Sequence, residues 1–157
     1  MENFKNILVV SRMVKNDVRA IQTGASLARK YGAKLTVIHV IHDPFGIAGW
    51  NLPMPNLEKD YQLLLNKTRQ ELDKLIEQER AGGTSIEVII KEGEPIREIL
   101  HAVKEKQIDL LVMLSHEEGH LEHFLFGKSN HELVLKMPCS ILLIKKEPES
   151  TYGSWDE

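Results

Sequence analysis

The chain has 157 residues, 42% of them hydrophobic and 27% charged, which is typical in length and composition of one compact globular domain. A net charge of −3 argues against a protein that neutralises nucleic-acid phosphates, since such proteins carry clustered Lys and Arg. Cys139 is the single cysteine, and no apolar run approaches the roughly 20 residues that span a bilayer. We therefore expect a cytoplasmic domain whose partners are neither nucleic acids nor membranes.

Five short apolar runs, rich in β-branched residues, predict five β-strands. Four of them lack a regular alternation of polar and apolar residues, as is typical of parallel strands covered on both faces, and the third has one polar position, Glu87. The runs occupy residues 7–10, 35–41, 86–90, 110–114 and 141–144.

Four segments with helical spacing of apolar residues lie between these strands. The third helix should open at Glu94 and Pro95, because a proline in the first turn gives up no hydrogen bond. The fourth should run from about Leu125 to Lys136. The first two are indicated by Val18, Ile21, Ala25 and Ala28, and by Leu64, Leu65, Leu72, Leu75 and Ile76.

Regular alternation of strand and helix predicts an α/β fold with a doubly wound, five-stranded parallel sheet and helices on both faces, a Rossmann-like architecture. We assign residues 1–146 to this domain and 147–157 to a disordered polar tail. Residues 43–57 contain three prolines and two glycines and should form a long irregular loop, either a lid or a surface excursion. Ligands of such sheets bind at the carboxyl ends of the strands.

Several local strings, taken together, resemble the universal stress protein family over roughly residues 4–146. The resemblance implies the same Rossmann-like fold. The strings are KNILVV from Lys5, GASLA from Gly24, VIHV from Val37, EGEP from Glu92, IDLLVM from Ile108 and MPCSILLI from Met137.

The resemblance also implies where a nucleotide would bind. Family members that bind ATP carry an aspartate at the end of the first strand and a Gly-x2-Gly-x9-Gly-Ser/Thr segment after the fourth. In this chain the aspartate position is Arg12, and Gly127 matches the third glycine. Leu114, Glu117 and Lys128 then stand at the first glycine, the second glycine and the hydroxyl position. Because glycines let main chain approach phosphates, and a carboxylate repels them, we expect no ATP in the usual family pose.

This departure resembles the subgroup of the family that does not bind nucleotide. That resemblance implies a non-enzymatic, homodimeric stress-response domain with an accessory or signalling role and an unidentified protein partner. The dimer is expected to form through the last strand, from Ile141 to Ile144. The alternative is a nucleotide-binding switch or weak ATPase with a rearranged cleft. The candidate cleft residues are Arg12, Ile41, His42, Leu114, Glu117, Gly119, Gly127, Lys128, Ser129 and Asn130.

Two further motifs fit their usual chemistry poorly. The string from His116 to His120 matches that of zinc metalloproteases but follows a strand in a glycine-containing loop rather than lying in mid-helix. The histidine cluster from His116 to His131, with His116, His120 and His123 as its candidate ligands, could share a face and bind a metal. It has no cysteine and no fixed carboxylate partner, so a metal-binding protein is kept only as an alternative. Gly127-Lys128-Ser129 lacks the earlier glycine of a phosphate loop. We assign neither a metal nor a catalytic residue.

Overall fold

The computed structural model describes residues 3–12, 17–41, 57–115 and 128–145. Strands and helices alternate along the chain. They are β1 (Asn6–Ser11), α1 (Asp17–Tyr31), β2 (Lys34–Ile41), α2 (Leu57–Ala81), β3 (Ile86–Glu92), α3 (Pro95–Glu105), β4 (Leu110–Leu114), α4 (Lys128–Lys136) and β5 (Ser140–Ile144).

The five strands form one parallel sheet in the order β3-β2-β1-β4-β5. The chain winds outward from β1 through β2 to β3, then crosses back and continues through β4 to β5. This is the doubly wound topology predicted from the sequence, and its direction reverses between β1 and β4. Strands β3 and β5 are the two edges.

Apolar layers cover both faces of the sheet, because successive side chains of each strand point to opposite faces. Helices α1 and α2 cover one face with Ile21, Leu72 and Ile76, all fully buried. Helices α3 and α4 cover the other with Ile99 and Leu133. Of the apolar positions that predicted α1 and α2, those that pack in the layer beneath these helices are Ile21, Ala25, Ala28, Leu72, Leu75 and Ile76.

Local signals explain several boundaries. Glu94 caps α3 by accepting hydrogen bonds from the amides of Ile96 and Arg97, and Pro95 occupies the first turn, as predicted. Gly32 and Gly83, which follow α1 and α2, have φ values of +66° and +92°, a backbone conformation that glycine adopts without steric cost.

Some predictions fall outside the described residues. They concern the loop at 43–57, the start of α4 near Leu125 and the tail at 147–157. Leu57 is the exception within the loop, since it begins α2. Among the helices that the structure describes, none combines the length and hydrophobicity of a membrane-spanning segment.

Candidate functional site

The reversal of winding direction opens a crevice between the carboxyl ends of β1 and β4. Strand β1 pairs with β4 only as far as Val9 and Val112, whereas its pairing with β2 continues to Ser11 and His39. Strand β4 pairs with β5 along its whole length, from Leu110 to Leu114, so its last two residues are paired on that side alone. The ends of β1 and β4 thus separate, which makes this crevice the expected ligand position of a doubly wound sheet.

Arg12 crosses this crevice. It follows the last residue of β1, and its guanidinium Nη2 donates a hydrogen bond to the main-chain oxygen of Leu114, the last residue of β4, over 3.1 Å. The side chain of Leu114 is buried, with 5% of its surface exposed, in the core beneath α1. Two positions that the sequence analysis placed in the cleft are therefore in direct contact.

Asp17, which the sequence analysis missed, fixes the end of β1. Its Oδ2 accepts a hydrogen bond from the Ser11 hydroxyl and another from the main-chain amide of Arg12, both of 2.7 Å. Asp17 is 1% exposed and begins α1, where the positive end of the helix dipole favours a carboxylate. The available signal was an acidic residue at the start of an amphipathic helix that follows a strand.

His39 connects β2 to the same cluster. Its Nδ1 lies 3.0 Å from the main-chain oxygen of Ser11, and since a carbonyl can only accept, the proton of this bond belongs to Nδ1. An imidazole within an apolar strand is expected to have a hydrogen-bond partner. The structure supplies that partner and leaves the ring half-buried.

The outer part of the carboxyl edge joins α2 to β3. The Tyr61 hydroxyl donates to Glu92 Oε2 over 2.6 Å, and this hydrogen bond, with smaller contributions from burial and from the negative charge, raises the pKa of Tyr61. The amide of Gly93 donates to the main-chain oxygen of Ile41 over 3.0 Å, with Gly93 at a φ of +136°. Ile41, another predicted cleft residue, is thereby held at the same edge.

The other predicted site residues are described only in part. The first turn of α4 is formed by the main chain of Lys128, Ser129 and Asn130. The side chains of these three residues are not among the groups that the structure describes. Within the described ranges, no group of three or more His, Cys, Asp or Glu side chains is arranged to hold a metal ion. The residues that lie wholly outside the described ranges are His42, Glu117, Gly119 and Gly127, together with the candidate metal ligands His116, His120 and His123.

A second pocket, of about 690 Å³, lies at the opposite, amino-terminal edge of the sheet. Its lining carries charges of both signs: Arg29, Lys34 and Lys106 are positive, and Glu87 and Glu105 are negative. Lys106 Nζ lies 2.8 Å from Glu87 Oε1, and Arg29 Nη1 lies 2.8 Å from Oε2 of Glu79, outside the lining. This pocket therefore presents no concentration of one charge, and the carboxyl edge remains the candidate site.

The sequence model of the universal stress protein family matches residues 3–145, which covers the whole sheet and all four helices. The chain belongs to this family. The resemblance drawn from the sequence strings is confirmed over nearly the whole chain.

Individual universal stress proteins are similar to the chain along its length. Universal stress protein YxiE from Bacillus subtilis is 24% identical over 147 residues, covering 90% of this chain and 99% of the relative. The structure of UspA from Lactobacillus plantarum superposes with a TM-score of 0.68 at 21% identity, covering 92% of this chain and 99% of that one. A universal stress protein solved in complex with cAMP gives a TM-score of 0.65 at 17% identity, covering 91% and 98%. These two structural likenesses establish the shared fold.

Proposed function

We propose that this universal stress protein is a non-enzymatic, homodimeric, cytoplasmic domain with an accessory or signalling role in the stress response. We further propose that it does not bind ATP in the manner of family members with the glycine pattern. The observation that carries the nucleotide part of the proposal is the contact between Arg12 and the carbonyl of Leu114. This contact places a side chain of the protein itself between the ends of β1 and β4.

The chemistry of Leu114 supports this proposal. A phosphate cradle needs main-chain amides that a phosphate can reach closely, which is why glycines suit it. Leu114 instead carries a side chain that packs into the core with Val112 and Ile21, and its carbonyl already accepts a hydrogen bond. A residue committed to the core in this way offers a phosphate little accessible main chain.

Calorimetric titration of the purified protein with ATP and Mg²⁺ tests the nucleotide part of the proposal. We expect no binding in the micromolar range. A dissociation constant of micromolar order, about −8 kcal/mol of binding free energy, would refute it.

The hydrogen bonds at the carboxyl edge support the absence of catalysis. The Ser11 hydroxyl donates a hydrogen bond to Asp17, and the His39 ring contacts the main-chain oxygen of Ser11. A nucleophile must be reached by its substrate, whereas Ser11 is buried, with 2% of its surface exposed. We therefore infer that these polar residues stabilise the strand ends.

The chemistry of β5 supports a dimer. Within the described residues β5 pairs only with β4, and all but the first of its residues, Ser140–Ile144, are apolar. Leu143 leaves 47% of its surface exposed. The opposite edge, β3, carries Glu87, Lys91 and Glu92, charges that oppose pairing between sheets. Of the two edges, β5 is therefore the one suited to a second copy of this chain.

Native mass spectrometry tests the dimer and also detects any small molecule that stays bound. We expect the wild type to be dimeric, and Leu143→Glu to shift it towards monomer, because a carboxylate would be buried at the pairing edge. Leu63→Glu is the matched control. Leu63 is 58% exposed on α2, and α2 covers the face of the sheet opposite to the one that α4 covers. A monomeric wild type, or equal effects of the two substitutions, would contradict pairing through β5.

The second candidate function is a nucleotide-responsive switch. The observation that favours it is the universal stress protein solved with cAMP, which shares this fold. A cyclic monophosphate needs fewer main-chain amides around it than a triphosphate does, because it carries one phosphate charge. Titration with cAMP separates the two candidates, and micromolar binding would favour the switch.

A further inference from the structure

The crevice between β1 and β4 has two well-held walls. On one side β1 remains paired with β2 as far as Ser11 and His39. On the other side β4 remains paired with β5 to its last residue, and the amide of Ser115 donates to Ile144 over 2.8 Å. The space between these walls is therefore set by the sheet, and what enters it depends on the side chains that project there.

Arg12 is fixed at both ends across this space. Its main-chain amide donates to Asp17, over 2.7 Å, and its guanidinium donates to the carbonyl of Leu114, over 3.1 Å. A long side chain with both ends bonded has little freedom to swing aside. A ligand in the crevice would have to break the bond to Leu114 and replace it, since a carbonyl left without a donor in a partly buried position is costly.

We propose that Arg12 is a specificity-determining residue: it occupies the switch-point crevice as a latch and keeps adenine nucleotides out. This inference rests on the proposed function and names the residue responsible. The latch acts through occupancy of the crevice and through the bond to Leu114. Its positive charge, which would attract phosphate, is used to hold β1 and β4 together.

The test is a calorimetric titration with AMP, which is small enough to enter the crevice without needing a triphosphate cradle. We expect Arg12→Ala to bind AMP at least about tenfold more tightly than the wild type, the factor that corresponds to about 1.4 kcal/mol. Equal affinities would overturn the latch. Weaker binding by Arg12→Ala would overturn it as well, because Arg12 would then be a contact for the ligand.

Arg19→Ala is the matched control. Arg19 lies on α1, and its Nη1 donates to the main-chain oxygen of Lys145, just after β5, over 2.7 Å. The control removes the same charge and the same type of bond at a strand end, outside the crevice. We expect the affinity of Arg19→Ala for AMP to equal that of the wild type. If Arg19→Ala gained as much affinity as Arg12→Ala, the loss of positive charge alone would explain both gains, and the latch would be refuted.

Circular dichroism and urea unfolding establish that each variant is folded at the titration temperature. If Arg12→Ala is unfolded, Arg12→Ser provides the same truncation with a hydroxyl that can bond to water at the strand end. The ratio of variant to wild-type affinity tests the latch, whereas the wild-type affinity for ATP tests the proposed function. A wild type that binds ATP tightly would thus refute the proposed function, and the ratio for AMP would still decide the latch.

Discussion

Gly24 is the position where a single added methyl group should have the most informative effect on stability. It is buried in the middle of α1, facing β1 and β2. A Cβ atom built there would lie 2.5 Å from Val9 Cγ2 and 3.3 Å from Leu35 Cδ1. Carbon atoms in contact prefer separations of about 3.5–4.0 Å, so Gly24→Ala requires α1 or Val9 to move by roughly 1 Å.

Two effects of opposite sign decide the outcome. Alanine favours a helix over glycine by about 1 kcal/mol, which by itself would stabilise the protein. Adding a methyl group to a packed core costs about 1–3 kcal/mol, and the separation from Val9 puts this site towards the upper end. We therefore expect Gly24→Ala to lower the free energy of unfolding by about 1–2 kcal/mol, and the melting temperature by roughly 2–8 °C for a chain of this length.

Urea unfolding followed by far-UV circular dichroism measures this change. The control is the same substitution in a Val9→Ala background, where the atom responsible for the overlap is gone. There the helix preference should dominate, and Gly24→Ala should raise the free energy of unfolding by up to about 1 kcal/mol. Stabilisation by Gly24→Ala in the wild-type background, or equal destabilisation in both backgrounds, would refute close helix–sheet packing as the reason for this glycine.

Three further substitutions or measurements test other contacts. Asp17→Ala should lower the free energy of unfolding by about 2–4 kcal/mol in urea titrations, because it removes two hydrogen bonds to a charged group. Asp17→Asn should lower it less, since the side-chain oxygen of asparagine can still accept. Equal losses in the two variants would contradict this account. Gln107, which follows α3, has a φ of +51°, a conformation that glycine adopts more easily than glutamine. Gln107→Gly should therefore raise the free energy of unfolding by about 0.5–1 kcal/mol and the melting temperature with it. A lower melting temperature would show that the side chain matters more than the backbone conformation. Burial raises the pKa of the Cys139 thiol. Its alkylation by iodoacetamide should therefore reach half its maximal rate at a higher pH in the folded protein than in urea. Identical pH profiles in the two conditions would contradict the burial.

The fold was predictable because the apolar runs of two of its interior strands, β1 and β4, leave neither face polar. A run such as 110–114 has no polar position, which excludes an exposed edge of an antiparallel sheet, and the structure has β4 at those residues. The end of β3 was less predictable. The sequence pattern ended at Ile90, whereas β3 pairs with β2 as far as Ile41 and Glu92. Backbone pairing continues past the last apolar residue because main-chain hydrogen bonds do not depend on side-chain polarity.

The candidate site was predictable in position but not in its contacts. The carboxyl ends of parallel strands lie at one edge, so Arg12 and Leu114 could be assigned to the same cleft from the chain order alone. The direction of the Arg12 side chain depends on the separation of β1 from β4 after Val9, which no local pattern records. Asp17 was missed for a related reason: its hydrogen bonds to Ser11 and Arg12 reach back to residues that precede α1.

Arg12 lies where the sequence analysis aligned this chain with the nucleotide-binding pattern of the family, and Asp17 lies close to it. The pattern has a carboxylate at the end of β1, where this chain has Arg12, and the nearby carboxylate of Asp17 bonds to the main chain of that same residue. Both charges now connect parts of the protein to each other. Under the proposed function, the barrier to nucleotides lies either with Arg12, whose side chain bonds to the end of β4, or with Leu114, which stands at the first-glycine position of the pattern. Titrating Arg12→Ala and Leu114→Gly with AMP separates these, because only the first removes the guanidinium while leaving the main chain of β4 unchanged. A gain in Arg12→Ala alone assigns the barrier to the latch, and a gain in Leu114→Gly alone assigns it to the lost cradle.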